Sequence, residues 1–178
     1  MMETRSRQVD VEPHLGVLRR YALVLTRSSD EAEDLVQAAL VRAIAGAASF
    51  RQERGLRAWL LSIVHNTHVS RRRRRQVEAA AVGELARAEG TPLAAPQLHR
   101  VELAQTMAAL MRLPEDQREV LVLVAIEGLS YRDAAEILSL PMGTLMSRLA
   151  RAREALRRAV GHGDAAARER PALRVVRQ

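Results

Sequence analysis

The first half of the chain repeats apolar side chains at intervals of three and four, which is the period of an α-helix. Residues 14–27 show this repeat and predict a first helix with one buried face. After a break at "SSD" the repeat returns, and Asp30 with Glu33 predicts the cap pair of a second helix. The residues predicted to face inward on these two helices are Leu15, Leu18, Tyr21, Ala22, Leu25, Ala32, Leu35, Val36, Ala39, Leu40 and Ala43.

A polar loop and a third helix follow. Residues 46–55, "GAASFRQERG", carry a glycine at each end and a mixed polar middle, which is typical of a functional loop. The next helix runs into five consecutive arginines at 71–75, which repel one another and therefore need anionic neighbours or full hydration. Its predicted inner face consists of Leu56, Trp59, Leu60, Ile63 and Val64.

The middle of the chain predicts a linker and then two more helices. Residues 76–96 are rich in alanine, end in "EGTPLAAP" and lack a strongly apolar face, so they predict a helix that frays into a linker. A helix is predicted from Gln97, and another over "LPEDQREVLVLVAIEGLS", with Pro114 in its first turn and Gly128 at its end. The helix from Gln97 is expected to bury Val101, Ala104, Met107, Ala108 and Met111.

The segment "GLSYRDAAEILSLPMGTLMSRLARAREALRR" predicts two helices joined by a tight turn. Ser130 is placed to cap the first helix, with Asp133 three residues later. Pro141 stops that helix, and Gly143 and Thr144 open the second. The inner face of the first helix is predicted to consist of Ala134, Ala135 and Leu138.

The second helix of this pair is apolar on one face and cationic on the other. Its apolar face carries Leu145, Leu149, Ala152 and Leu156, and its other side carries Thr144, Ser147, Arg148, Arg151 and Arg158. A solvated amphipathic helix would show the same stripe. However, DNA-binding proteins place a second, cationic helix in the major groove after such a turn, so DNA binding is the favoured interpretation.

These elements predict the fold class. No segment shows the alternating period of a strand bounded by turns. The chain is expected to be all-α, with two small helical domains joined by a flexible linker. The predicted boundaries are 10–75 for the first domain, 76–96 for the linker, 97–160 for the second domain and 161–178 for a disordered tail.

The composition favours a cytosolic protein with an anionic partner. All 28 basic residues are arginines, and the formal net charge is +7. Arginines outnumber acids in residues 1–75 and 113–178, whereas residues 76–112 are slightly acidic, and a basic balance favours a polyanionic partner. Cysteine is absent, which excludes disulfides and thiolate chemistry. The polar N-terminus shows no secretory signal, and no apolar run approaches the ~20 residues that span a bilayer.

The strongest hint of enzyme chemistry is a pair of histidines. His65 and His68 are spaced for a metal pair, but no third ligand lies at motif spacing and Arg71 follows closely. Histidines in this setting are more often surface residues or nucleic-acid contacts. No phosphate-binding glycine loop or nucleophile motif is present. We therefore expect no enzymatic activity, no metal site and no cofactor.

Two motif blocks in this order resemble one protein family. The first contains "DEAEDLVQAALVRAI" and "LRAWLLSIVHN"; the second, across the linker, is "LPEDQREVLVLVAIEGLSYRDAAEILSLPMGTLMSRLARAREAL". Together they resemble the extracytoplasmic-function group of bacterial sigma factors over residues 14–160. The resemblance implies a region 2-like domain at 10–75 and a region 4-like helix-turn-helix domain at 97–160.

The resemblance also implies a function and partners. A sigma factor binds core RNA polymerase and directs promoter-specific initiation, here expected in a stress response in the bacterial cytoplasm. The implied partners are the beta-prime clamp helices and the beta flap of the polymerase core, promoter DNA and an anti-sigma factor, without membrane insertion.

Three sets of contact residues follow from the resemblance. The clamp contact is assigned to Asp34, Gln37 and the outward-facing Val41. The minus-10 element is assigned to the loop and the helix after it, at Phe50, Arg51, Arg54, Arg57, Asn66 and Arg71. The minus-35 element is assigned to Thr144, Ser147, Arg148 and Arg151. Phe50 and Trp59 are the only aromatics near the loop, and we interpret both as core residues rather than base-stacking platforms.

The chain departs from the family pattern at three positions. Ala38 stands where the family usually has glutamate, which removes one polar contact to the clamp. Ser139 stands where the turn often has glycine. Met146 stands where many members carry lysine or arginine, which removes a phosphate contact.

Two other functions fit parts of the sequence. A sigma-like decoy that sequesters an anti-sigma factor would resemble a degenerate sigma factor, usually fused to a receiver domain, whereas both predicted DNA-facing surfaces here keep their arginines. A plain helix-turn-helix regulator leaves the first 95 residues unexplained. The linker permits both a compact and an open arrangement of the two domains in the free chain.

Overall fold

The structure is a computed structural model that describes residues 10–50, 55–82 and 99–168; at 81–82, 99–103 and 161–168 it describes the backbone alone. The described residues form α-helices without a strand, which confirms the all-α prediction. These helices are α1 (Leu15–Thr26), α2 (Ser29–Ala45), α3 (Leu56–Val82), α4 (His99–Arg112), α5 (Glu115–Leu121), α6 (Tyr131–Ile137) and α7 (Met142–Arg168).

Helices α1, α2 and α3 form the N-terminal domain around a shared apolar core. Every α1 and α2 residue predicted to face inward is buried except Leu15 and Leu40, which are half-buried. On α3 the structure also buries Leu61, which the sequence analysis did not place inward. Because α3 packs against both α1 and α2, its buried stripe is wider than one row of side chains.

The start of α2 differs from the prediction. The N-cap is Ser28, whose Oγ accepts a hydrogen bond from the backbone N–H of Glu31, and not Asp30 with Glu33. Ser28 has the extended backbone that an N-cap requires, and Glu31 stands three residues later as in a capping box. The cap prediction was wrong because Ser28 and Asp30, two positions apart, both have side chains that can cap a helix.

The predicted linker at 76–96 and the predicted tail at 161–178 are only partly within the described residues. Helix α3 continues past residue 75 to Val82, and α7 continues past residue 160 to Arg168. Five of the seven residues at 76–82 are alanine, glutamine or glutamate, which are strong helix formers, and this accounts for the continuation of α3. The rest of the predicted linker and the predicted tail beyond 168 lie outside the described residues.

The predicted inner face of α4 is wrong at Met107 and Ala108, whereas Ala104 and Met111 are half-buried and the side chain of Val101 lies outside the described residues. Met107 is 40% exposed and Ala108 is exposed, whereas Ala109, Leu110 and Leu113 are buried. Helix α4 packs against α7, and that contact selects the stripe carrying Leu110 and Leu113. Alanine and methionine occur on several faces of α4, so its periodicity did not identify the buried stripe.

Helix α5 continues into a π-helical turn at Val122–Ile126, where the N–H of Glu127 donates to the carbonyl of Val122 at 2.9 Å. Gly128 follows with φ +64°, a left-handed conformation that glycine adopts without strain. The turn therefore ends as predicted, and it leaves Glu127 pointing into the molecule, 1% exposed.

Helices α6 and α7 form the predicted helix-turn-helix pair. Ser130 caps α6 by accepting from the N–H of Asp133 at 3.1 Å, as expected. In the turn, Ser139 adopts φ +52°, and the N–H of Leu140 donates to the carbonyl of Ala135 at 2.9 Å. A left-handed residue at this point is the reason that glycine would suit the turn.

The two domains pack against each other in a compact arrangement. Helix α1 contacts α5 and the π-helical turn, and α3 contacts α6. The guanidinium of Arg118 crosses from α5 to the carbonyl of Val24 near the end of α1, at 3.0 Å. We call this contact region between the domains the seam. The sequence left a compact and an open arrangement equally allowed, and the structure has the compact one.

No helix in the described part of the chain is both long and apolar enough to cross a lipid bilayer.

Candidate nucleic-acid and protein interfaces

The first turns of α7 present a polar surface opposite a buried one. Leu145, Leu149 and Ala152 are fully buried, so the opposite side of the helix is directed outward. Ser147 and Arg151 are exposed there. An α-helix with its side chains is about 10–12 Å in diameter, which suits the ~12 Å width of a DNA major groove.

Arg148 lies on the same surface and is held by the domain itself. Its Nε is 3.3 Å from Asp116 Oδ2 on α5, and its side chain is 30% exposed. The Ser147 hydroxyl donates to the carbonyl of Thr144 at 2.9 Å. The ion pair to Asp116 connects Arg148 on α7 to α5.

The outer face of α2 carries the residues assigned to the clamp. Asp34, Gln37 and Val41 are all exposed on one side of the helix. Val41 is 68% exposed, and Ile44, one turn later, is 74% exposed. Ile44 was missed by the sequence analysis, although an apolar residue three positions after Val41 on an outward face was a signal that could have found it. The face thus combines polar groups with an uncovered apolar pair.

The structure describes only part of the region assigned to the minus-10 element. Phe50 and Trp59 are both half-buried, with ring centroids 5.2 Å apart and planes tilted by 49°. Trp59 packs against the core, as interpreted from its inward phase. Asn66 is exposed on α3. Arg51 and Arg54 lie outside the described residues.

The arginine run at 71–75 finds acidic and polar neighbours. Arg71 donates from Nη2 to the backbone carbonyl of Asp34 at 3.1 Å, which joins a residue assigned to DNA to one assigned to the clamp. Ion pairs join Arg72 to Glu115 at 2.6 Å, Arg74 to Glu78 at 3.2 Å and Arg75 to Glu31 at 3.4 Å. These pairs reduce the repulsion expected for the run.

Arg57 does not point freely into solvent. Its Nη2 is 2.5 Å from Glu127 Oε2, which lies in the other domain. Its Nε is buried, and no hydrogen-bond partner is found for it among the described residues. Arg57 is therefore held at the seam in this compact arrangement.

The two histidines lie inside the molecule, which corrects the prediction of surface or nucleic-acid contacts. His65 Nδ1 is 3.2 Å from the hydroxyl of Tyr21 and 3.7 Å from Glu119 Oε2. His68 Nε2 is 3.6 Å from Glu115 Oε1. The acidic partners belong to α5, so sequence periodicity in α3 alone could not place these imidazoles in the seam. In the described residues, no group of three possible metal ligands is close enough to hold an ion.

Burial shifts the proton affinities of these seam groups. Burial, with a smaller contribution from the neighbouring His68, lowers the pKa of His65 to about 4. Burial, with a smaller contribution from the neighbouring Glu115, raises the pKa of Glu119 to about 7. Burial also lowers the pKa of His68 and raises that of Tyr21. At neutral pH the imidazole of His65 is neutral, and the Glu119 carboxyl is partly protonated.

Models of two protein families match this chain in the order of its two domains. The "Sigma-70 region 2" model matches residues 11–78, and the "Sigma-70, region 4" model matches residues 103–156. The first match includes α1, α2 and most of α3, and the second runs from within α4 to the middle of α7.

Similar whole proteins carry the same type of name. The chain is 41% identical to the ECF RNA polymerase sigma factor EcfG of Rhodopseudomonas palustris, over 86% of this chain and 84% of the relative. It is 38% identical to the ECF RNA polymerase sigma factor SigM of Mycobacterium tuberculosis, over 84% and 74%. Among solved structures, the sigma factor RpoE of Bartonella quintana, crystallised with the anti-sigma factor NepR, shares the fold with a TM-score of 0.75. Its sequence identity is 36%, over 85% of this chain and 94% of that chain.

Proposed function

Since the chain belongs to the extracytoplasmic-function group of sigma-70 factors, we propose that it binds core RNA polymerase through its N-terminal domain and reads promoter DNA with both domains. The observation that carries this proposal is the pairing of two outward surfaces on one chain, the cationic face of α7 and the mixed face of α2. A DNA-binding helix alone would not need the second surface.

The minus-35 element is read by the first turns of α7. The N-terminal end of a recognition helix meets base edges, while arginines and the helix end meet phosphates. We assign Thr144, Ser147 and Arg151 to base edges and Arg148 to a phosphate; the support for Arg148 is that its guanidinium is already bound to the Asp116 carboxylate. Met146 is 50% exposed on the same turn and supplies an apolar contact in place of a cation.

The polymerase clamp binds the outer face of α2. Asp34 and Gln37 supply polar contacts, and the exposed Val41 with Ile44 supplies apolar area that a protein partner covers. Ala38, directly after Gln37, supplies no polar contact at the position where the family usually has glutamate. The beta flap of the polymerase is the second contact, on the C-terminal domain.

The minus-10 element is opened against the N-terminal domain. Phe50, Arg51, Arg54, Arg57, Asn66 and Arg71 are the assigned contacts. Extruding a base costs a few kcal/mol of lost stacking. Because the ring of Phe50 packs on that of Trp59, with centroids 5.2 Å apart, polar side chains and arginines supply most of the contacts to the extruded base.

An anti-sigma factor holds the chain until a stress signal releases it. The support is the structural likeness to RpoE, which was crystallised with NepR, and to CnrH, which is 30% identical with a TM-score of 0.58 and was solved with the cytosolic domain of CnrY. The chain itself performs no catalytic step, because the polymerase forms the RNA. It functions in the bacterial cytoplasm, where the polymerase is located.

The test is a reconstituted transcription assay with bacterial core polymerase, the purified chain and the DNA upstream of its own gene. The expected result is a transcript with a defined start site, which the double variant Arg148→Ala/Arg151→Ala loses while it still binds core. As a matched control, Arg153→Ala/Arg157→Ala removes two exposed arginines of α7 that were not assigned to its DNA-facing side, and it should keep the start site.

The alternatives predict different outcomes of the same assay. A decoy would bind the anti-sigma factor without giving a transcript from any member of a promoter library. A plain regulator would bind DNA without binding core. Failure to bind core polymerase at all would contradict the proposed function.

A further inference from the structure

Glu127 is an ionisable side chain that is completely buried at the seam. It follows the π-helical turn, and its side chain has no exposed area. Arg20 on α1 grips it with two bonds, Nε to Oε1 and Nη2 to Oε2, each 3.2 Å long. Arg57 on α3 adds Nη2 to Oε2 at 2.5 Å. Both cations that hold this carboxylate belong to the other domain.

The two arginines remain accessible while the carboxylate does not. The side chain of Arg20 is 57% exposed and that of Arg57 is 39% exposed. If the domains separate, the arginines stay hydrated on the N-terminal domain, and Glu127 is released to water. The Nε of Arg57 is buried without a partner among the described residues, so this guanidinium has a further donor to offer a larger anion.

The compact arrangement cannot engage both promoter elements. The names of the two elements place them about 25 base pairs apart, which is about 85 Å of DNA at 3.4 Å per base pair. Packed helices have axes roughly 10 Å apart, and α1 and α3 pack directly on α5 and α6. The domains must therefore come apart when the chain reads a promoter.

We propose that Glu127 is a latch. In the compact chain its carboxylate fills an anion site formed by Arg20 and Arg57, and in the open chain the same site takes a phosphate of promoter DNA. Guanidinium forks recognise carboxylate and phosphate with the same bidentate geometry, so the two anions compete. This inference rests on the proposed function, because promoter DNA is the ligand of the open chain.

The first test measures the distance between the domains in the free chain. The sequence has no cysteine, so Gln76→Cys and Arg153→Cys give one label on each domain, both at exposed positions. Glu127→Gln keeps the shape and removes the charge, and it should raise the ratio of open to compact molecules about tenfold. The matched control is Glu78→Gln, which removes an equal charge from an exposed pair within α3 and should leave the ratio unchanged.

A second variant separates the latch from a general loss of folding. Arg20→Gln should also open the chain, and Arg20→Gln/Glu127→Gln should open it no further than Glu127→Gln does, because the two changes break one interaction. Helicity measured by circular dichroism should be equal in all variants. An unchanged distance in Glu127→Gln, or full additivity of the two changes, would overturn the latch.

The DNA half of the proposal is tested on the opened chain. With a duplex carrying the minus-10 element, Glu127→Gln should bind severalfold more tightly than the unaltered chain. Adding Arg20→Gln in that background should weaken binding and lower the salt dependence by about one counterion. Equal binding with and without Arg20 would overturn the phosphate site. Opening without any promoter-specific transcript would preserve the latch and contradict the proposed function instead.

Discussion

Arg118 joins the ends of two helices from two domains, and its removal should measurably destabilise the chain. It is 2% exposed. Nε donates to the carbonyl of Val24 at 3.0 Å, and Nη1 donates to those of Leu113 at 3.1 Å and Met111 at 3.3 Å. These carbonyls lie at or beside the C-terminal ends of α1 and α4, where the helix dipole favours a cation.

The magnitude follows from these three bonds. A hydrogen bond to a charged group contributes about 1.5–3 kcal/mol, so three contribute roughly 4–9 kcal/mol. Burying the guanidinium offsets several kcal/mol of that sum. Arg118→Met keeps the length of the side chain, loses all three bonds and avoids the burial of a charge. We expect a loss of about 2–4 kcal/mol in the free energy of unfolding, or roughly 5–15 °C in Tm for a chain of this size.

The assay is thermal and urea unfolding followed by far-UV circular dichroism. The matched control is Arg112→Met, an exposed arginine at the end of α4, which should change stability by less than about 0.5 kcal/mol. Arg118→Lys keeps the charge but has a single ammonium, so it should recover only part of the loss. If Arg118→Met unfolds at the same temperature as Arg112→Met, the bonds to the helix ends contribute no net stability, and the reasoning is refuted.

Three further predictions concern pH, the turn and DNA. The folded state raises the pKa of Glu119 to about 7 from 4.5, so its contribution favours folding below pH 4.5 and is lost as pH rises through 7. The free energy of urea unfolding of Glu119→Gln, minus that of the unaltered chain, should therefore increase by about 2–3 kcal/mol as the pH is raised from 5 to 8. A difference that does not vary with pH would contradict this. Ser139→Gly relieves a positive φ and should raise stability by about 0.5–1 kcal/mol in thermal unfolding; a lower Tm would show that Ser139 is not strained. In DNA titrations at several salt concentrations, Arg151→Ala should lose about 1–3 kcal/mol on the preferred promoter and relax its specificity, whereas Arg148→Ala should weaken all sequences alike and flatten the salt slope by about one. The same loss pattern for both variants would refute the division between base and phosphate contacts.

The parts of the fold that sequence reasoning predicted are those in which a helix buries one stripe against its own domain. The repeats on α1, α2 and α7 identified Tyr21, Leu35 and Leu145 as core residues, and all three are fully buried. Local chemistry predicted the Ser130 cap and the glycine at 128 because both depend on a few adjacent residues. Such features need no information from distant parts of the chain.

The seam was not predictable by the same reasoning. His65, Arg118, Glu119 and Glu127 are all buried, yet a hydrophobic pattern assigns every one of them to the surface. Their partners lie far along the chain, 44 residues away between Tyr21 and His65 and 107 between Arg20 and Glu127. A polar side chain can be buried when another helix supplies its hydrogen bonds. The periodicity of one helix contains no information about which other helix packs against it.

The buried polar groups of the seam bear on how the chain works, although buried apolar residues of both domains also form one hydrophobic cluster. An interface of apolar side chains alone would expose more hydrophobic surface on each domain when the domains separate, and its free energy of opening would be larger. Here the interdomain contacts include Arg118 on a carbonyl, Glu127 between two arginines and His65 beside Glu119, all groups that water hydrates well once exposed. Breaking such contacts exchanges protein hydrogen bonds for hydrogen bonds to water, so each bond to a charged group contributes only about 1.5–3 kcal/mol net. A seam of this kind keeps the free chain compact. It still permits opening on DNA, because the linker gives the two weak DNA-binding surfaces a high effective concentration for each other's binding.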